Sequence, residues 1–208
     1  MTPDIRSAIE HLSAYDPFLA TLIADTPTPP ALVAHTNYYH ELISSIIGQQ
    51  LSVKAAATIQ KRFKALFDDA FPEPEQILKR DIEELRAVGL SYQKAGYIQD
   101  LARHILDGSV RFDTLDQLSN DNIVAELTKV KGIGEWTVHM FLMFCMGRLD
   151  VLPTGDLGIR TGIMRLYGLE TLPKVDAVRQ VAAQHKWHPY ESVASWYIWQ
   201  SLDNTPKA

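Results

Sequence analysis

"LTKVKGIGEWTVHM", residues 127–140, breaks an apolar helical pattern with Gly132-Ile133-Gly134 and resumes it at once with Trp136. The stretch reads as a helix, a tight turn and a second helix. Without Cβ atoms at the two glycines, an anion can approach the backbone amides that open the second helix, where the positive end of the helix dipole also lies. Lys129 and Lys131 place positive charge beside that turn. A corner between two core helices is the plainer reading of these residues; a backbone shaped to touch a phosphate is the more specific one.

Outward from this stretch, apolar residues recur at three- and four-residue spacing almost throughout, with no sustained alternation that would mark strands. The pattern predicts an all-α protein with helices near 4–14, 17–24, 36–49, 52–67, 74–79, 81–88, 91–107, 120–129, 135–147, 157–167, 174–184 and 190–202. Ser52, Asp81 and Ser91 are placed to cap helix starts, and Gly89, Gly108 and Gly168 to follow helix ends. "DTPTPP" at 25–30 reads as a stiff connection, since each proline fixes its own φ and restrains its predecessor. Residues 83–98, "EELRAVGLSYQKAGYI", echo 125–141: each has Glu-Leu, a valine three residues later, a glycine turn and a resumed helix.

Composition narrows the function classes. Of 208 residues, 46% are hydrophobic and 22% charged, which fits an ordinary globular chain. The longest apolar run, "MFLMFCM" at 140–146, is far shorter than the ~18 residues of a membrane span. The start "MTPDIRSAIEHL" lacks the pattern of a secretory signal, and a single cysteine, Cys145, cannot form an internal disulfide. An intracellular setting is expected: the cytoplasm or nucleoid of a prokaryote, or a eukaryotic nucleus. One cysteine also excludes a four-cysteine zinc or iron–sulfur site, and the pairs His35/His40 and His185/His188 have no evident third ligand. Net charge is −5, yet 48–67 carries Lys54, Lys61, Arg62 and Lys64 without an acid. The field that steers a polyanion is local, so a nucleic-acid face is compatible with an acidic chain. No Gly-x-x-x-x-Gly-Lys-Ser/Thr loop or strand–Gly-x-Gly–helix unit points to a nucleotide.

The second informative stretch is "DVLPTGDLGIRTGIMRLYG", 150–168, in which Asp156 follows Pro153, Thr154 and Gly155 at the predicted start of a helix. As a structural residue it is an N-cap contributing about 1 kcal/mol. "LTKVKGIGEWT", followed twenty residues beyond Trp136 by the aspartate of "LPTGDLGIR", resembles the helix–hairpin–helix DNA glycosylase superfamily. More narrowly it resembles the 3-methyladenine DNA glycosylase II, or alkylpurine, branch. "SSIIGQQLSVKAAATI" (44–59) and "AVGLSYQKAGYIQDLA" (87–102) extend the likeness to about 40–200.

The resemblance implies one domain over 1–208, in the compact form without an N-terminal β lobe. It would have two helical lobes with a cleft between them, one from 36–150 and the other from 1–35 with 151–208. It implies excision of alkylated purines such as 3-methyladenine and 7-methylguanine from duplex DNA, leaving an abasic site in base excision repair, with Asp156 as the catalytic carboxylate. Relatives that also cut the strand carry a lysine where this chain has Trp136, so a monofunctional enzyme is implied. Trp136, Gln49, Tyr190 and Met140 would line the base pocket, with Trp187 near Tyr190, while Trp196 and Trp199 read as core.

Gln50, Leu51 and Ser52 together with Lys131, Gly132, Ile133, Gly134 and Thr137 would contact DNA. Either Gln50 or Leu51 would be the wedge that fills the gap left by an extruded base. No cofactor is required; a sodium or potassium ion held by the carbonyls of Leu127, Val130 and Ile133 is a family-based expectation. Met140 departs from relatives that have an aromatic there, which leaves base preference open. Damaged duplex DNA is the implied partner, with no membrane and a monomer as the default. The alternatives are a non-catalytic binder of DNA structure with the same fold, a glycosylase/lyase, and an unrelated helical interaction protein.

Overall fold

The computed structural model describes residues 3–32, 34–35 and 37–203. Among these residues there are twelve α-helices, one 3₁₀ turn and no strand. The chain forms two compact units, one from residues 1–34 and 142–208 and the other from 35–141.

The first unit opens with α1 (Pro3–Tyr15) and α2 (Pro17–Asp25), joined through Asp16. Asp16 Oδ1 caps α2 by accepting from the N–H groups of Phe18 and Leu19, 3.0 Å each. Its Oδ2 accepts from Trp187 Nε1 at 2.7 Å and from the Tyr167 hydroxyl. Burial, and then the bond to Asp16, push the Tyr167 pKa above its ordinary value. The unit continues with α10 (Leu157–Leu166), α11 (Val175–Gln184) and α12 (Glu191–Asp203). Ile5, Leu12, Leu19, Ile159, Ile163, Val178, Trp187, Tyr197 and Ile198 share its core. α10 packs so closely on α12 that a Cβ at Gly162 would lie 2.3 Å from Ile198 Cγ2.

The second unit contains α3 (Tyr38–Gly48), α4 (Val53–Ala65), α5 (Pro74–Leu78), α6 (Ile82–Ala87), α7 (Tyr92–Leu106) and α8 (Asn120–Leu127). It also holds the first part of α9 (Glu135–Phe144), and α3, α5 and α6 all pack on α7. α3 buries Leu42, Ile43, Ile46 and Ile47, and α7 buries Ala95, Ile98, Leu101 and Ala102. That spacing is the apolar stripe of an amphipathic helix. Ser52, Asp81 and Ser91 cap α4, α6 and α7 as expected, and Asp81 forms a full capping box with Glu84.

The departures are at the ends of elements. α3 begins at Tyr38 because Asn37 caps it, accepting from His40 N–H at 3.1 Å; the expected start at 36 lies outside the described residues. α9 ends at Phe144 instead of 147, since "MFLMFCM" stays apolar beyond the helix and hides its end. The 3₁₀ turn at Leu115–Gln117 had no periodic signal. The division at 141/142 falls within α9, earlier than the 150/151 boundary expected.

Candidate nucleic-acid interface and carboxylate site

In the 35–141 unit, α8 and α9 flank the hairpin at 128–134. Val130 N–H donates to the Leu127 carbonyl at 3.2 Å, and Ile133 N–H to the Val130 carbonyl at 3.1 Å. Val130 and Ile133 are buried, so the apolar residue between the glycines is the anchor of the turn. The two glycines have different causes. Gly132 sits at φ +82, and a Cβ there would lie 2.0 Å from the Tyr97 ring, so the fold itself demands glycine. At Gly134 a Cβ would meet nothing within 4 Å. Its place at the opening of α9 is where a phosphate oxygen can approach main-chain amides.

The hairpin is held from below. Lys131 N–H donates to Asp100 Oδ2 at 2.9 Å, and Asp100 is only 7% exposed. Lys131 Nζ lies 3.9 Å from Asp100 Oδ1, on a side chain that is otherwise in solvent. The carbonyls of Leu127 and Val130 each accept one bond inside the turn, and a carbonyl has two lone pairs, so each retains capacity for a second partner.

Beside the hairpin lies the turn at 48–52. Gln49 Nε2 donates to the Gly132 carbonyl at 2.9 Å, tying the two turns together. Gln50 occupies the left-handed region at φ +58 and is exposed at the tip, whereas Leu51 N–H folds back to the Gly48 carbonyl at 3.1 Å. Ser52 Oγ accepts from Ala55 N–H at 3.3 Å, so its hydroxyl is engaged as a cap. Ser45, Gly48, Gln49, Gln50, Trp136 and Thr137 line a cavity of about 550 Å³. Trp136 is 52% exposed there and Thr137 is buried, with Met140 half-buried one turn further along α9. A half-exposed indole lining a cavity of this size suits a flat ring.

The 1–34 and 142–208 unit holds the carboxylate. Thr154 N–H donates to the Leu152 carbonyl at 2.8 Å and Asp156 N–H to the Pro153 carbonyl at 3.0 Å, which turns the chain into α10. Asp156 Oδ1 caps α10 through Ile159 N–H at 2.8 Å, as a structural N-cap does. The same oxygen also accepts Trp199 Nε1 at 2.9 Å, a bond no cap requires. Gly158 makes that approach possible: a Cβ there would sit 3.0 Å from both Asp156 Oδ1 and Trp199 Cδ1. The carboxylate therefore stands at the positive end of a helix dipole with two donors fixing one oxygen.

Several expectations for aromatic residues change. Trp196 and Trp199 pack against the core as expected, but Trp199 is only half-buried and its indole N–H also donates to Asp156, with the Phe144 ring 6.2 Å away. Trp187 lies next to Tyr190 as expected, its carbonyl accepting from Tyr190 N–H at 2.7 Å, but its side chain is fully buried on Asp16. Tyr190 is half-buried and meets His11 edge-on at 5.2 Å. The sequence reading missed Lys94, Tyr97, Asp100 and Gly158. Lys94 did leave a trace: it is a cation in the first turn of a helix, the end that disfavours one. Among the described residues no cluster of three or more His, Cys, Asp or Glu is placed to hold a metal, and no helix is long and apolar enough to cross a membrane.

Residues 43–187 match the HhH-GPD superfamily of base excision DNA repair proteins. A DNA-3-methyladenine glycosylase of Schizosaccharomyces pombe is 36% identical over 167 residues, 78% of this chain and 72% of its own length. A Bacillus subtilis relative is 34% identical over 178 residues, 83% of this chain, and the chain spans 61% of that relative's length. A solved structure of a 3-methyladenine DNA glycosylase from S. pombe in complex with abasic DNA superimposes with a TM-score of 0.80 at 33% identity, covering 97% of this chain and 99% of that one.

Proposed function

The chain belongs to the HhH-GPD superfamily of base excision DNA repair proteins, and from that premise we propose that it is a monofunctional DNA glycosylase that releases alkylated purines from duplex DNA. The observation that carries the catalytic assignment is the fixing of Asp156 Oδ1 by both the α10 amide of Ile159 and the Trp199 indole. Relatives named as DNA-3-methyladenine glycosylases support the substrate class.

The chemistry follows from the lesion. A base inside the duplex must first be rotated out of the stack, at a cost of a few kcal/mol. A purine methylated at N3 or N7 already carries positive charge, so it leaves as a neutral base when the N-glycosidic bond breaks, taking the bonding electron pair and needing no strong general acid. The sugar becomes oxocarbenium-like. Asp156 stabilises that cation and accepts the proton of the water that adds to C1′. The Trp136 face stacks on the electron-poor ring, with Gln49 and Met140 as further pocket residues. Trp136 has no amine with which to attack the sugar, so the product is an intact strand with an abasic site.

The hairpin residues Lys131, Gly132, Ile133, Gly134 and Thr137 grip the backbone, which positions the protein without reading sequence. Gln50, exposed at the tip of its turn and lining the cavity, is assigned as the wedge in preference to Leu51; Ser52 supports it as the cap of α4. The carbonyls of Leu127, Val130 and Ile133 would hold a sodium or potassium ion that adds positive field beside the phosphate.

The test is base release from methylated duplex DNA by the native protein and by Asp156→Asn, with strands examined before and after hot alkali. Asparagine is as good an N-cap as aspartate and retains an oxygen for Ile159 and Trp199, so the variant is expected to fold and bind DNA. The reading predicts release by the native protein alone, with strands intact until alkali. Equal release by both proteins would sink the Asp156 assignment. DNA binding without release by either would make the protein a non-catalytic binder of DNA structure, and nicking without alkali would make it a lyase.

A further inference from the structure

Lys94 lies in the first turn of α7, where Ser91 Oγ caps its N–H at 3.2 Å. That end of a helix disfavours a cation. The ammonium turns away from α7 and donates to the carbonyls of Ile47 at 2.9 Å and Gln49 at 2.6 Å. These lie at the C-terminus of α3, where the last carbonyls lack helical partners and the dipole is negative. Lys94 thus places its charge at the favourable end of another helix. Burial lowers its pKa from the ordinary lysine value, as expected for an ammonium drawn partly out of water.

The residues that Lys94 fixes lead directly to the interface. Gln49, whose carbonyl takes the shorter bond, directs its own amide to the Gly132 carbonyl at 2.9 Å. Gln50 follows at φ +58 on the rim of the 550 Å³ cavity. Farther along α7, the Tyr97 ring closes over Gly132 and Asp100 accepts Lys131 N–H. Lys94, Tyr97 and Asp100 are spaced three apart, so one flank of α7 holds both the 48–52 turn and the hairpin.

We propose that Lys94 is a positioning residue for base extrusion: it fixes the Gln49–Gln50 turn against the hairpin, so that the wedge is set before the base leaves the stack. The idea rests on the glycosylase reading for its substrate. Its effect is specific to the lesion, because the hairpin retains its own support from Tyr97 and Asp100 and continues to grip undamaged duplex.

Lys94→Met keeps the stem and removes the donors, while Lys94→Arg keeps charge and donors. Three quantities separate the outcomes: single-turnover release of methylated purine, fluorescence of 2-aminopurine placed opposite the lesion as a report of extrusion, and affinity for undamaged duplex. The methionine variant is expected to lose at least tenfold in release and in extrusion, with undamaged-duplex affinity changed less than twofold, and the arginine variant to recover most of the loss. Unchanged extrusion in Lys94→Met overturns the proposal. So does an equal fall in undamaged-duplex affinity, which would make Lys94 a general support for DNA binding. If Lys94→Met does not fold by thermal melting, Gln49→Ala carries the test, since it cuts the link to Gly132 and leaves the Lys94 bonds to main-chain carbonyls; undiminished extrusion then overturns the proposal. Native protein that extrudes but releases nothing refutes the glycosylase reading alone, because extrusion still decides the role of Lys94.

Discussion

Gly158→Ala separates activity from stability at the carboxylate. The added methyl would sit 3.0 Å from Asp156 Oδ1, 3.0 Å from Trp199 Cδ1 and 3.1 Å from Trp199 Nε1, so the indole or the carboxylate must move by a few tenths of an ångström. The bond at stake is the 2.9 Å contact between Trp199 and Asp156. A hydrogen bond to a charged group contributes about 1.5–3 kcal/mol. If it serves to hold Asp156 for the oxocarbenium ion, its loss slows base release roughly 10- to 100-fold, at about 1.4 kcal/mol per decade. Stability is expected to move little, because alanine in place of a helical glycine contributes roughly 0.5–1 kcal/mol against the local crowding. Gly162→Ala, one turn along, is the control: its methyl would strike Ile198 at 2.3 Å and cost about 1–3 kcal/mol as overpacking. Single-turnover base release and urea melts on both variants decide the matter. Full activity in Gly158→Ala, or a loss of activity matched by a loss of stability, would refute the idea that Trp199 holds Asp156 for catalysis.

The two hairpin glycines should respond differently. Gly134→Ala is expected to weaken duplex binding severalfold without changing the melting temperature, whereas Gly132→Ala, at φ +82 against Tyr97, should destabilise the fold; both are read by fluorescence anisotropy and calorimetry. Lys131→Ala should reduce the slope of log affinity against log salt by about 0.9, the share of one phosphate contact, in a titration series. Asp16→Ala leaves the N–H groups of Phe18 and Leu19, the Tyr167 hydroxyl and the Trp187 indole without their acceptor, and should cost about 3 kcal/mol or more in urea unfolding. Burial lowers the pKa of His40 from its usual 6.5, with Lys64 in the same direction and Glu73 and Glu41 opposing. Below pH 6.5 the unfolded chain takes up a proton that native His40 resists, so stability falls as pH drops from 6.5 toward the native value. His40→Phe should flatten that fall in urea midpoints compared at pH 7 and pH 5.

The helices were legible because their signals are local. Apolar period and capping residues act within a turn or two of chain, and Ser52, Asp81 and Ser91 each cap the helix expected of them. The end of α9 was hidden because the residues after Phe144 remain apolar for packing reasons of their own. The hairpin of the candidate site was legible because its glycines mark the turn in the backbone, whereas contacts between partners distant in sequence were not legible. Lys94 to Gln49 and Asp100 to Lys131 join residues 45 and 31 positions apart, and no spacing rule announces either. Trp199 was read as core, and it does pack there, but nothing in its apolar neighbours announces that its indole nitrogen reaches Asp156.

Asp156 shows why one residue can satisfy both a structural and a catalytic reading. Capping α10 and stabilising a developing cation need the same thing, a carboxylate held at a helix N-terminus. The cap is therefore a means of orientation and not a competing explanation. What distinguishes the two roles is geometry beyond the cap. A cap needs only the amide of Ile159; Asp156 Oδ1 also receives the indole of a tryptophan 43 residues on, across a glycine whose missing side chain leaves just enough room. The same division applies to the hairpin, where Gly132 is required by Tyr97 and Gly134 by nothing in the protein. In both places the feature that the fold does not require is the one the proposed chemistry would use: the Trp199 indole N–H fixes Asp156 and the bare Cα of Gly134 leaves room for a phosphate, so substitutions there should alter chemistry or binding before they alter stability.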